Sequence, residues 1–291
     1  FNDCPVPVEN MLSDRENGFK IAVNILNIGR IKLGAGVLGG CRTVISHAIK
    51  YANERKQFGV SISSFGAIKH KLAKMATRVF VSESLDYRAG QNIEDKMDDL
   101  TAGGMDYAEA KLKGVEQFAI ECAIAKIHGS EVLDFVVDEG VQIYGGMGYS
   151  ADTPMERAYR DARISRIYEG TNEINRMLMI GMLLKRAMKG ELNIFEPAMA
   201  VSKELTSVPS FATIDNSVLF NVEKNVIKNL KKVFLMVGGK AAMVLQDKIE
   251  DEQEVMMNLA DILIEIYAVE SSMLRTEKLV SQRGEEACAD Y

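Results

Sequence analysis

A glutamate stands between a tyrosine and a glycine in Ile167-Tyr168-Glu169-Gly170-Thr171-Asn172. It closes a stretch that holds Arg157, Arg160, Arg163 and Arg166, with Arg176 and Arg186 further on. An acid at a loop-to-helix junction usually caps the helix or faces its dipole. Here Thr171 is the better cap. That leaves Glu169 just outside the helix, beside the residue type that enters left-handed backbone without steric cost. Such a site can project a carboxylate into a cleft and suits a general base. The residues alone leave open a structural acid neutralised by arginine. A direct ion pair would weaken the base. The four arginines are expected to turn to other acids, with the adjacent Arg160 and Asp161 in an ion-pair network that fixes the loop.

Three further stretches could bind a ligand. In "QIYGGMGY", Gly145, Gly146 and Gly148 permit close backbone approach and Gln142 offers donors and acceptors. No strand precedes it and the spacing is wrong for a dinucleotide fingerprint, so a tight interhelical turn explains it equally well. In "ERKQFG", Arg55 can pair with phosphate, Gln57 can hydrogen-bond and Phe58 can stack on a planar ring. The alternative is a helix-end charge with a loop anchor. Arg30 lies in the apolar run "LNIGRIKLGAG", where it needs an anionic or carbonyl partner if buried, or snorkels to solvent.

Helices must position these groups. Phe65, Ile68, Leu72, Met75 and Val79 step by threes and fours, as do Val115, Phe118, Cys122 and Ala125, and Leu259, Ile262, Ile266, Val269 and Met273. Sustained period-two alternation is nearly absent. The pattern predicts helices over about 17–54 (distorted near 34–40), 65–91, 106–140 and 155–164, with another from Thr171. "RKQFGVSISS", "EDKMDDLTAGGM" and "YGGMGYSADTP" read as loops. Four antiparallel helices on modest loops make a bundle. Residues 191–216, with Pro197 and Pro209, read as a linker, and a second helical unit follows. Lys224, Lys228, Lys231, Lys232 and Lys240 give that unit a basic face, either solvated or drawn to anionic lipid.

The 291 residues carry a formal net charge of −6 and are 47% hydrophobic. That supports a core and about two domains, and argues against nucleic-acid binding, which needs a basic face. No apolar run is expected to reach the roughly 20 residues of a membrane span. Cys4, Cys41, Cys122 and Cys288 are far apart and read as reduced thiols; with only three histidines, no metal site is expected. The opening "FNDCPVPVENML" reads as the end of a preceding segment.

Taken in order, "LNIGRIKLGAG", "ERKQFG", "QIYGGMGY" and "YRDARISRIYEGTNEI" resemble the C-terminal half of the acyl-CoA dehydrogenase family, over about residues 1–190. Residues from about 215 are similar in kind to the extra helical domain of its very-long-chain branch. The resemblance implies an all-α fold: a four-helix up-and-down bundle followed by a second, smaller helical domain. Residues 1–16 would be a remnant of an upstream β-domain, 17–190 the bundle, 191–215 a linker and 216–291 the extension.

It also implies FAD and a function, the α,β-dehydrogenation of a long-chain acyl-CoA to the trans-2-enoyl-CoA. Glu169 would take the α-proton and the flavin the β-hydride. Some branches carry the base on the long first helix; this chain keeps Glu at 169. Arg55, Gln57 and Phe58, with Gln142, Gly145 and Gly146, would reach the flavin of a neighbouring subunit, hence a homodimer. Gln57 departs from the family's threonine-type residue. Thr171 and Glu173 would meet the flavin of their own site. Leu26, Asn27, Arg30, Tyr168 and Gly170 would meet the substrate. The implied partner is an electron-transferring flavoprotein, in the cytoplasm of a bacterium or the mitochondrion of a eukaryote, the former favoured. The chain by itself is expected to be inactive and to bind FAD poorly. Rival readings are a non-catalytic helical assembly module and an acyl-CoA oxidase.

Overall fold

The structure, a computed structural model, describes residues 1–207, 214, 215 and 217–289. The parts of the expected linker and extension at 208–213, 216 and 290–291 lie outside the described residues. Residues 1–16 hold a 3-10 turn at Val8–Asn10 and the start of another at Arg15–Asn17, almost wholly exposed. Helix α1 (Gly18–Glu54) leads into a hairpin of β1 (Lys56–Gln57) and β2 (Val60–Ser61). Then come α2 (Gly66–Ala102), α3 (Tyr107–Gln117), α4 (Ala119–Tyr144), α5 (Gly146–Tyr149), α6 (Pro154–Ala162) and α7 (Asn172–Met188). Three more follow: α8 (Phe195–Leu205), α9 (Asn221–Leu245) and α10 (Gln253–Arg283). The all-α expectation holds. The hairpin pairs Lys56 with Ser61 and Gln57 with Val60, and positive φ at Phe58 (54°) and Gly59 (85°) makes the two-residue turn that matches strand twist.

Helix α1 runs without the distortion expected near its glycines. They serve close packing instead. A Cβ added at Gly129 of α4 would lie 3.2 Å from the Gly34 Cα and 3.1 Å from Val37, and one at Gly140 would lie 2.8 Å from Val44. Partners advance together along both helices, so α1 and α4 run parallel. Leu33, Val37, Val44, Met75, Val79, Val132, Val136 and Met155 form the core at this end. By length and composition Ile21–Glu54 could cross a membrane, against the sequence expectation. In the fold its apolar stripe faces that core.

Two other expectations shift. Helix α2 continues through the acidic stretch to Ala102, because α3 packs on its tail: a Cβ at Gly114 would sit 2.8 Å from Met97 and 3.2 Å from the Ile93 carbonyl oxygen. The predicted third helix breaks at Phe118 (φ −104°, ψ 30°) into α3 and α4. Arg186 of α7 donates to the carbonyls of Glu116 and Gln117, both at 2.9 Å.

The expected linker holds α8. Pro197 sits in its first turn, where proline removes no intrahelical bond. The C-terminal helices share a core with the bundle: Leu85, Ile124, Ile127, Met179 and Ile180 meet Phe234, Met256, Leu259 and Ile264. Glu83 of α2 binds both Arg42 of α1 and Arg275 of α10. On α9, Lys224 and Lys231 pair with Glu277 and Glu270 of α10, and Lys232 with Glu204 of α8.

Candidate active site

Glu169 lies in the turn between a 3-10 helix at Arg163–Arg166 and α7. It adopts φ 59° and Gly170 follows at 84°, two successive left-handed residues. A non-glycine residue there carries a strain of about 1 kcal/mol, so the surroundings must hold it. They do so through carbonyls. Arg30 Nε donates to the Glu169 carbonyl at 3.3 Å and Lys126 Nζ to that of Gly170 at 2.8 Å. Asn175 Nδ2 reaches the carbonyls of Glu169, Gly170 and Thr171 at 3.4, 2.8 and 3.1 Å. The Thr171 hydroxyl caps α7 by accepting from Ile174 N at 3.3 Å.

The Glu169 side chain lies against Gly29 of α1, where an added Cβ would come within 2.5 Å of Oε2. Oε2 is buried and has no hydrogen-bond partner. Among the described residues Glu169 enters no ion pair. Arg160 binds Glu156 at 3.0 Å, Arg166 binds Asp134 at 2.9 Å, and Arg176 binds Glu131 at 2.8 Å and Asp261 at 2.6 Å. Arg157 and Arg163 are exposed. Of the four arginines before Glu169, Arg160 and Arg166 thus turn to other acids, Arg160 taking Glu156 one turn back rather than Asp161, while neither Arg157 nor Arg163 enters an ion pair among the described residues.

Arg30 does not snorkel. It is 5% exposed, and NH1 donates to Asn27 Oδ1 at 2.9 Å. Burial pulls its guanidinium down, opposed by the nearby Cys122 and Glu169. Asn27 is buried with it, whereas Leu26 and Tyr168 are exposed. Glu173 is held below the usual carboxylate range by hydrogen bonds to its own backbone and to the Thr171 hydroxyl.

The second cluster gathers at the far end of α1. Arg55, Gln57, Gly145, Gly146 and Met147 line a hollow of about 410 Å³ together with Tyr51, Ile62, Ile143 and Tyr144. An added Cβ at Gly145 or Gly146 meets nothing within 4 Å, so the backbone there is open to a ligand. Gln142 is exposed on the last turn of α4, and Phe58 is 92% exposed at the hairpin tip with its ring edge-on to Phe65; neither lines the hollow. The rings of Tyr51 and Tyr144 stack at 4.0 Å and form a wall that sequence reasoning missed.

The sequence reading also missed Lys126, Asn172, Ser130 and Asn175. Lys126 has no exposed surface, and its Nζ also donates to Asn172 Oδ1 at 2.6 Å. Asn172 in turn donates to Ser130 and Glu131, both at 3.0 Å. A lysine inside the apolar run "AIAKIHGS" was the available signal.

Family models described as "Acyl-CoA dehydrogenase, C-terminal domain" match residues 16–184 and 229–290. A Bacillus subtilis (strain 168) protein described as "Probable acyl-CoA dehydrogenase" is 43% identical over 99% of this chain and 48% of its own length. The mitochondrial very long-chain specific acyl-CoA dehydrogenase of Rattus norvegicus is 32% identical over 97% of this chain and 43% of its own. A crystal structure of an acyl-CoA dehydrogenase complexed with FAD from Bacillus anthracis superposes with a TM-score of 0.92 at 42% identity, over 98% of this chain and 48% of that one. The chain thus spans about half the length of the relatives it matches. With the turn of Glu169, the open glycine hollow and these matches agreeing, the chain belongs to the acyl-CoA dehydrogenase family.

Proposed function

We propose that the protein dehydrogenates a long-chain acyl-CoA at its α and β carbons, with Glu169 as the base that removes the α-proton. The observation that carries this reading is the Glu169 carboxylate, seated against Gly29 with one oxygen buried and unpartnered although arginines surround it in sequence. No guanidinium occupies that oxygen, so it is free to receive a proton, and a bound acyl chain would exclude water from it. Abstraction breaks the α C–H bond, its proton passes to a carboxylate oxygen of Glu169, and the electron pair forms the double bond as hydride leaves the β-carbon.

FAD, when bound, supplies the acceptor for that hydride. The residues fit it. Arg55 can meet a phosphate, and the bare backbone of Gly145 and Gly146 admits a flat or charged group closely. Thr171 and Glu173 stand near the base. From Gly29 to Arg55 is about 39 Å along one helix at 1.5 Å per residue. That is farther than one dinucleotide reaches. The hollow therefore serves the cofactor of a second copy, and the working form is a homodimer. We place it in the cytoplasm, by its likeness to the Bacillus relatives, with an electron-transferring flavoprotein as acceptor.

The test is Glu169→Gln in the full-length protein. It should keep its fold and its yellow colour, while anaerobic bleaching of the flavin by palmitoyl-CoA slows at least about 100-fold. Bleaching at the unaltered rate would reject Glu169 as base. Peroxide formed in air would identify an oxidase, and a colourless full-length protein that copurifies with partners would identify an assembly module.

A further inference from the structure

We propose that Lys126 is the positioning residue for Glu169: by holding the Gly170 carbonyl it locks the turn that aims the carboxylate at Gly29. The inference rests on the reading of Glu169 as base.

Three side chains hold this turn, and they are not equivalent. Asn175 sits on α7, six residues beyond Glu169, so it moves with the segment it binds. Arg30 reaches the turn from α1 through one longer contact of 3.3 Å. Of the three, Lys126 reaches the turn from α4, through 2.8 Å to Gly170 and 2.6 Å to Asn172, the first residue of α7, which itself donates to Ser130 and Glu131 of that helix. One ammonium therefore grips both sides of Thr171. The two left-handed residues cannot relax to ordinary backbone without breaking that grip.

Burying a lysine completely is costly, and its two hydrogen bonds must offset that cost. Its Nζ faces two neutral oxygens, and no carboxylate closes an ion pair with it among the described residues. Such a group contributes less to stability than to geometry. Burial, and secondarily the charge of Arg30, brings it down to about 8, so near neutral pH it still carries its proton. The ammonium has three donors, and its donor to Gly170 sits one residue from the side chain that must be aimed. A displacement of about 1 Å at a reacting group can cost on the order of 100-fold in rate.

The experiment uses the full-length flavoprotein with palmitoyl-CoA and its 2,2-dideuterated form. Lys126→Met should keep its flavin and melt cooperatively. The rate of anaerobic flavin bleaching should fall about 10- to 100-fold, with the half-saturating substrate concentration little changed. The deuterium isotope effect should rise, because proton removal becomes the slow step. Backbone amides of residues 167–175 should exchange faster. A purely structural role would lower the melting temperature without moving the isotope effect. Lys126→Gln, whose amide falls one bond short of Gly170, should behave alike.

Bleaching rate and isotope effect within twofold of the parent would overturn the proposal. So would loss of flavin or of cooperative melting in both variants, which would assign Lys126 to the fold. Glu169→Gln run alongside separates the two ideas. If it is inert while Lys126→Met is unimpaired, only the tether fails; if it turns over normally, the base assignment fails.

Discussion

Replacing Gly29 by alanine separates the fold from the chemistry. The new Cβ would lie 2.5 Å from Glu169 Oε2, 2.6 Å from Cδ and 2.7 Å from Oε1. Carbon and oxygen come to rest at roughly 3.5 Å, so the carboxylate must retreat by about 1 Å. The three atoms nearest the new Cβ all belong to the end of a flexible side chain and none to backbone, so it can give way. Alanine in a helix interior is favoured over glycine by about 1 kcal/mol, which offsets the cost of that retreat. The protein should therefore melt within a few degrees of the parent and keep its flavin. The base, however, is displaced, and a shift of this size costs on the order of 100-fold in rate, or about 2.7 kcal/mol. Stopped-flow bleaching with palmitoyl-CoA in the full-length protein, beside a thermal melt, measures both quantities. A bleaching rate within twofold of the parent at unchanged stability would refute the reasoning, since the carboxylate over Gly29 would then not be the reacting group.

Two glycines of α5, of which Gly146 lines the hollow and Gly148 does not, should behave in opposite ways. Gly146→Ala meets nothing within 4 Å and should leave the melting temperature unchanged while FAD content falls; undiminished flavin would count against the hollow as its site. Gly148→Ala places a Cβ 2.5 Å from the Val141 carbonyl oxygen and 2.9 Å from its Cα, so a backbone must move and the melting temperature should fall by several degrees. Asp86 is buried with both oxygens unpartnered, and burial, reinforced by Glu83, pushes it up to about 8 from 3.8. The folded state thus holds a proton that the unfolded state releases. Its contribution is complete below about pH 4, declines as pH rises, and is gone above about 8. Asp86→Asn should flatten this slope and stabilise the protein at pH 8 by roughly 2 to 5 kcal/mol, read from denaturant melts at several pH values; identical slopes in the two proteins would rule it out.

What was legible in the sequence is what depends on neighbours along the chain. Thr171 caps α7 because a hydroxyl reaches an amide three residues on, and that is visible in order alone. The same holds for the helical stripes and for a carboxylate set just before a cap. Most of the misses share a cause, which is contact across helices; Pro197 is the exception. Gly34 looked like a flaw in α1 and is a point where the backbone of α4 approaches closely. The acidic end of α2 looked like a turn until Gly114 of α3 is seen to pack on it. Pro197 looked like a breaker, but it falls in a first turn, where its missing N–H costs nothing. Lys126 lies 44 residues from the carbonyl it binds, and no local pattern reports such a pair.

Both candidate sites are carried by one pair of helices. Arg30 and Lys126 hold the turn of Glu169 near the middle of that pair, and Arg55 and Gly145 bound the hollow at its end. Because α1 and α4 lie parallel and their glycines bring the backbones into contact, neither helix can slide without opening voids at Val37 and Val44. The distance between base and hollow is therefore fixed by helix rise, not by loops. In the proposed homodimer, a pair of copies related by a twofold axis would use such a fixed distance, each lending its hollow to the other's cofactor while keeping its own Glu169 beside its own substrate. On this view the glycines of α1 matter to function at two removes, Gly29 by giving the carboxylate room and Gly34 by holding straight the strut on which the second copy's cofactor depends.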